Sequence, residues 1–199
     1  MIDFASWDLA ALREAWRNAQ PFRHLVIDQL VDESALPGMV AAAHAEPHWP
    51  NRSEIFEFYG SSLPIQQPSL RAFADAFGSP AGLAALTEIT GAPLTRVETR
   101  SYVYPAGGYL LPHLDHQAGL GRKLAYAFYM AVPGEGGGGE LDLYEVELDG
   151  TRIVDARIAK SITPVANRIA IFEVSDRSLH QVREVLSGVR ISLAGWFYE

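Results

Sequence analysis

Cysteine is absent from the chain's 199 residues. A disulfide framework and a thiolate metal site are therefore excluded, and any transition metal must be held by imidazoles and carboxylates. Basic runs are missing too. Lys and Arg number 16 against 24 Asp and Glu, for a formal net charge of −8. Without a basic stripe to neutralise phosphates, nucleic acid is not an expected partner. No apolar run approaches the roughly 18 residues needed to span a bilayer. The opening Met1-Ile-Asp-Phe-Ala-Ser-Trp7 lacks the basic and apolar regions of a signal peptide. The expected setting is cytoplasmic, with no membrane partner. No Ser- or Pro-rich linker and no repeat divides the chain, so a single domain over 1–199 is expected. Its 48% hydrophobic content can build a sizeable core.

What is present changes character along the chain. Residues 6–19 read as a helix with Ser6 as cap and Leu9, Leu12, Ala15 and Trp16 on one face. Residues 22–28 suit a strand. Asp32 caps a second helix running to about Ala45, and Pro47 and Pro50 end it. Residues 47–67, with Trp49, Phe56, Phe58 and Tyr59, read as a long irregular segment, either a lid or a plug at the core edge. Helices follow at 69–77 and 80–90. After Gly91 come strand-like runs at 94–104, 123–132, 140–146, 151–155, 168–174, 179–185 and 188–198. Helices first and strands after predict an α+β fold: 1–93 a mainly helical support layer with the lid segment, 94–199 an antiparallel sandwich or roll. Gly134–Glu140 reads as a flexible hairpin loop.

The stretch Tyr102-Val-Tyr-Pro-Ala-Gly-Gly-Tyr-Leu-Leu-Pro-His-Leu-Asp-His116 carries the chemistry. His113 and Asp115 are two apart, and in an extended strand such residues leave from one face. They supply two of the three ligands of a 2-His-1-carboxylate site, which keeps metal positions open. His180 is the best candidate for the third. Alone, His-x-Asp is weak, arising by chance roughly one time in four in a chain this long. Its company matters more. Arg190 follows His180 by ten, across a hairpin turning at Ser187-Gly188. An imidazole-bound metal and a guanidinium could then hold the two ends of one carboxylate ligand, since the planar fork binds carboxylate bidentately and stays charged. Arg190 lies on the opposite face from Val189, Ile191 and Leu193, and either face could be solvent. His116 points away, His44 and His48 are loop residues split by Pro47, His24 is structural, and Trp7 and Trp16 belong to the helix core.

Taken together, Tyr104-Pro, Tyr109, His113-x-Asp115, Gly-Gly-Glu140-Leu, His180 and Arg190-x-Ser-x-x-x-Trp196 resemble the Fe(II)/2-oxoglutarate dioxygenases, and within them the prolyl 4-hydroxylase-like group. The resemblance covers about residues 94–198, and Phe22–Asp28 is similar to the group's lead-in. It implies a double-stranded β-helix, a jelly roll with N-terminal helices packed on one sheet. His113, Asp115 and His180 would bind Fe(II). Arg190 would take the distal carboxylate of 2-oxoglutarate, with Tyr129, Tyr104 and Ser192 beside the co-substrate. Arg122, Trp196 and Tyr109 would line the substrate entrance, framed by residues 47–67 and 116–122. The His-to-Arg spacing departs from the group's pattern, ten here and often nine in relatives. The cofactors implied are Fe(II), 2-oxoglutarate and O₂, with ascorbate as accessory reductant.

The activity implied is hydroxylation of a prolyl or similar residue in a peptide or protein, with decarboxylation of 2-oxoglutarate to succinate. A hydroxylase of a free amino acid or small metabolite is the alternative within the enzymes. A non-catalytic jelly-roll binding module is the alternative outside them. Intact His113, Asp115, His180 and Arg190 weigh against the last.

Overall fold

A computed structural model describes residues 2–199. Four helices form where short polar side chains and prolines mark their starts. Asp8, rather than Ser6, caps α1 (Leu9–Asn18), its carboxylate accepting from the Ala11 N–H at 3.0 Å. Asp32 caps a 3-10 turn that runs into α2 (Leu36–Ala45). α3 (Pro68–Gly78) has no cap of its own. The buried Glu46 carboxylate serves instead, accepting from the N–H groups of Gln66 and Gln67. Ser79 caps α4 (Pro80–Thr90), and Gly91, at φ +74°, closes it with a left-handed residue.

Among the described residues, eleven strands form one hydrogen-bonded sheet, ten of them along a single path. They are β1 (His24–Ile27), β2 (His48–Arg52), β3 (Phe56–Ser61), β4 (Arg96–Pro105), β5 (Tyr109–His113), β6 (Arg122–Ala131), β7 (Leu141–Asp149), β8 (Arg152–Ile162), β9 (Arg168–Glu173), β10 (His180–Val182) and β11 (Val189–Tyr198). The order is β1-β9-β6-β11-β4-β3-β5-β10-β7-β8, with β2 beside β3. β3 pairs with β2 along one edge, while its other edge meets β5 at Phe56–Glu57 and β4 at Tyr59–Gly60, so it stitches a larger sheet to a smaller one. The path curls into the double-stranded β-helix expected from the sequence, with the four helices on the larger sheet.

Alternation explains why the larger sheet is buried on both faces. Along β11, Ile191, Leu193 and Phe197 join the helix-side core, while Arg190, Ser192 and Trp196 face the interior of the roll. β6 does the same with Leu124, Phe128 and Met130 against Ala125 and Ala127. Phe73 of α3 stacks on Phe128 with centroids 4.7 Å apart. Each such buried apolar side chain contributes about 1.5–3 kcal/mol.

Four expectations need correction. Residues 47–67 are largely ordered as the β2–β3 hairpin. Pro50 is tolerated because β2 is an edge strand, where a missing N–H breaks no ladder. β8 runs to Ile162 rather than ending near 155. Most of β8 is exposed on both faces, so no apolar alternation marks its length. β10 and β11 are not hairpin partners: β10 pairs with β5 and β7, β11 with β4 and β6. Finally, the glycine tract packs closely. A Cβ on Gly138 would lie 2.1 Å from the Glu184 carbonyl oxygen, and one on Gly139 3.2 Å from Arg190 Cδ. Both residues have positive φ, so glycine is required twice over.

Candidate active site

β5 ends on His113, and Asp115 lies two residues beyond the strand. β10 meets β5 with an irregular register: His180 lies opposite His113, Val182 opposite Leu110. One extra residue on β5 makes a bulge, which turns both Leu110 and His113 inward although they are three apart. His113, Asp115 and His180 then offer ligand atoms all within 4.8 Å of one another. His180 Nε2 is 3.5 Å and His113 Nε2 3.9 Å from the Asp115 carboxylate.

The two rings are set in matching tautomers. His113 Nδ1 lies 3.0 Å from the Leu111 carbonyl oxygen, His180 Nδ1 2.9 Å from that of Ser178. A carbonyl can only accept, so each Nδ1 carries the hydrogen and donates. Each Nε2 keeps its lone pair for the space shared with Asp115. Phe172 packs on the His180 ring at 4.5 Å. Burial, followed by the neighbouring His113, lowers the His180 pKa from its ordinary value, against the pull of Asp115. The ring is therefore a neutral donor at physiological pH. Two imidazole lone pairs and one carboxylate are a donor set suited to Fe(II).

Across a cavity of about 270 Å³ stands Arg190. It is 1% exposed, its Nε has no partner, and no carboxylate forms an ion pair with it among the described residues. The guanidinium carbon lies 5.0 Å from the Tyr104 ring centroid and 4.9 Å from that of Tyr129. The Tyr129 hydroxyl is also buried without a partner. Burial raises the Tyr104 phenol well above its ordinary pKa, so it stays protonated. Ser192 lines the same wall. An unpaired buried guanidinium costs several kcal/mol. An acidic ligand in the cavity would relieve that cost, and the fork geometry fits a carboxylate.

The entrance residues divide. Trp196 lines the cavity with an unpartnered indole N–H. Arg122 stacks behind it, 3.7 Å from the ring centroid, and donates to the Asp115 carbonyl at 3.4 Å. Tyr109 lies outside the lining, because the bulge turns it away. Its hydroxyl reaches the Ser53 and Glu54 carbonyls at the tip of the β2–β3 hairpin. Of the aromatics between 47 and 67, Phe56 and Phe58 enter the cavity wall, while Trp49 and Tyr59 are exposed. His116 is exposed, and His24 is buried with Nδ1 on the Phe22 carbonyl. His48 is half-buried and bonds Ser101 Oγ at 3.0 Å, so it is not a solvated loop residue. Sequence reasoning did not single out Tyr102, Leu110, Phe172 or Val182, which also line the cavity. Tyr102 was within reach, since Tyr-x-Tyr on a strand puts both rings on one face.

This geometry is a facial set of three ligands opposite a carboxylate-ready guanidinium inside a jelly roll. The family model described as "2OG-Fe(II) oxygenase superfamily" matches residues 99–198, and the chain belongs to that superfamily. Two similar curated proteins are the prolyl 3-hydroxylase OGFOD1 of Mus musculus and the prolyl 3-hydroxylase sudestada1 of Drosophila melanogaster. The first is 40% identical over 92 residues, covering 45% of this chain and 16% of the relative. The second is 26% identical over 192 residues, covering 90% of this chain and 35% of the relative. The chain thus spans about a third or less of these relatives' length. Among solved structures, a Pseudomonas putida prolyl-4-hydroxylase superposes with TM-score 0.75 at 21% identity, covering 96% of this chain and 98% of that one. A Trichoplax adhaerens prolyl hydroxylase in complex with a hypoxia inducible factor oxygen degradation domain peptide fragment gives 0.68 at 14% identity, covering 97% and 93%. These two likenesses establish the fold.

Proposed function

We propose that this chain is an Fe(II)/2-oxoglutarate-dependent dioxygenase that hydroxylates prolyl residues in a peptide or protein. The observation that carries the reading is the convergence of His113, Asp115 and His180 on one cavity with the unpaired Arg190. The similar prolyl 3-hydroxylases support the substrate class.

His113 Nε2, Asp115 and His180 Nε2 would hold Fe(II), leaving positions open for a chelating co-substrate. With 2-oxoglutarate bound, the iron supplies O₂-dependent hydroxylation of an unactivated C–H bond coupled to release of succinate and CO₂. The Arg190 fork would grip the distal carboxylate, with the Tyr129 hydroxyl donating to the same group. Tyr104 and Ser192 would pack along the co-substrate. Phe56, Phe58, Tyr102 and Trp196 give the cavity an aromatic wall that excludes water and suits an apolar pyrrolidine ring.

The test is turnover by purified protein with Fe(II), ascorbate, 2-oxoglutarate and two panels, proline-containing peptides and free amino acids. The expected result is one added oxygen on a peptidyl proline, matched by succinate. Oxidation confined to free amino acids would remove the peptide substrate. No consumption of 2-oxoglutarate with either panel would remove the enzymatic reading.

A further inference from the structure

His180 sits on a strand of only three residues, His180–Val182. Backbone bonds tie Leu179 and Arg183 on either side of it to the β7 strand and the residue before it, but on the β5 side the register slips between His180 and Val182. Yet the ring must be held to within a fraction of an ångström for three ligands to meet at one metal. A side-chain contact on the β7 side would fix the strand's rotation where the slipped β5 register does not.

We propose that Asp142 is the positioning residue for His180, and this rests on the metal-site reading above. Asp142 lies on β7 directly opposite Gln181. Its neighbours Leu141 and Leu143 pack in the apolar core beside Phe172, so alternation turns the carboxylate to the other face. It is nevertheless 0% exposed. Both oxygens are doubly engaged. Oδ2 accepts from Gln181 Nε2 at 2.7 Å and Arg183 Nε at 3.0 Å. Oδ1 accepts from Arg183 Nη2 at 2.9 Å and from Ser161 Oγ of β8 at 2.6 Å. A single buried carboxylate thereby ties β8 and β7 to the residues one and three beyond His180. Gln181 shares the backbone of His180 and leaves from the opposite face. Holding its amide holds the strand's rotation about its own axis, and so the direction of the imidazole.

The brace acts on the apo protein, so metal affinity reads it independently of turnover. The experiment titrates Mn(II) by calorimetry, well below the melting temperature, into the full chain and three variants. Gln181→Met removes the bond nearest His180 and leaves Asp142 paired. Asp142→Asn puts an amide donor against the guanidinium. Glu46→Gln, at the remote α3 cap, controls for general loss of stability. The expected result is a Kd about tenfold weaker for Gln181→Met and weaker still for Asp142→Asn, with Glu46→Gln unchanged. If Asp142→Asn does not fold, Gln181→Met decides alone. Unchanged affinity in Gln181→Met, or an equal loss in Glu46→Gln, would overturn the proposal. A wild-type chain that binds no Mn(II) would instead overturn the metal-site reading beneath it.

Discussion

β11 and β10 stand on opposite sides of one cavity and are secured in different ways. β11 pairs along its length with β4 and with β6, and buries one face against the helices. β10 has three residues, a bulged neighbour and a side-chain brace. The first strand carries Arg190, a group that recognises a ligand by charge and tolerates small displacements. The second carries His180, whose lone pair is directional. The long strand gets its placement from pairing along both edges and from packing, whereas the short one has a slipped register on one edge and adds specific polar contacts. Metal affinity should therefore respond to polar substitutions near β10, and global stability to apolar ones on β11.

The largest effect expected is at Arg190. Arg190→Met replaces an unpaired buried charge with an apolar side chain of similar length. The metal-free protein should keep its stability or gain about 1–4 kcal/mol in urea unfolding. Binding of 2-oxoglutarate should weaken by about 2–5 kcal/mol, on the order of 30- to 5,000-fold, in a titration with Mn(II) present. A metal-free protein that loses several kcal/mol would mean that Arg190 is already paired, and the contrast between the strands would collapse. Next in size is a pair of truncations. Leu193→Ala empties a fully buried site on the helix side of β11 and should cost about 2–5 kcal/mol. Val182→Ala, at the cavity end of β10, should cost roughly 1–2 kcal/mol by its lost methyls. Equal losses in urea unfolding would show β10 to be as deeply packed as β11.

Much of this was legible in the sequence because it follows periodicity and local spacing. The alternation around Arg190 separated it from Val189, Ile191 and Leu193, and the structure shows the interior on its side. His113 and Asp115 could be placed on one face from their spacing alone. What could not be read depends on pairing between distant segments. Nothing local says that β10 and β11 belong to different sheets, since the segment 183–188 has the look of a hairpin turn. Nor does spacing reveal a bulge, and the bulge is what turns Tyr109 away from the cavity. The prolines at 47 and 50 signalled a loop because the rule against strand proline lapses at an edge, and edges are a tertiary property. Asp142 looked like one acidic residue among many until β10 and β8 brought its partners to it.

A smaller effect is expected at Tyr129. Its hydroxyl has no partner in the protein, so Tyr129→Phe should leave metal-free stability unchanged. If the hydroxyl donates to the co-substrate carboxylate, the variant should lose about 0.5–1.5 kcal/mol of 2-oxoglutarate affinity, a factor of roughly 2 to 13. An unaltered affinity would assign the carboxylate to Arg190 alone and make the β11 side simpler than drawn.

The smallest effect is a slope in pH, and it draws the comparison outward to the other histidines. Burial lowers the pKa of His24 on β1 and of His48 on β2 from the ordinary value of 6.5. The unfolded chain takes up these protons near pH 6.5, while the folded chain resists them until the pH is lower. In that window the unfolded state binds more protons, so stability rises with pH and is lost as the pH falls below 6.5 towards the folded values. Melting of the metal-free protein should therefore shift downward between pH 7.5 and 5.5. His24→Gln, which removes one titrating ring from the edge of the larger sheet, should flatten that shift. The buried His180 adds to the slope in the same direction in the metal-free protein. Metal bound to its Nε2 would oppose protonation there and leave His24 and His48 untouched. A shift that is unchanged in His24→Gln would mean that the pH response comes from His48 and His180, and that the β1 edge is electrostatically silent near neutrality.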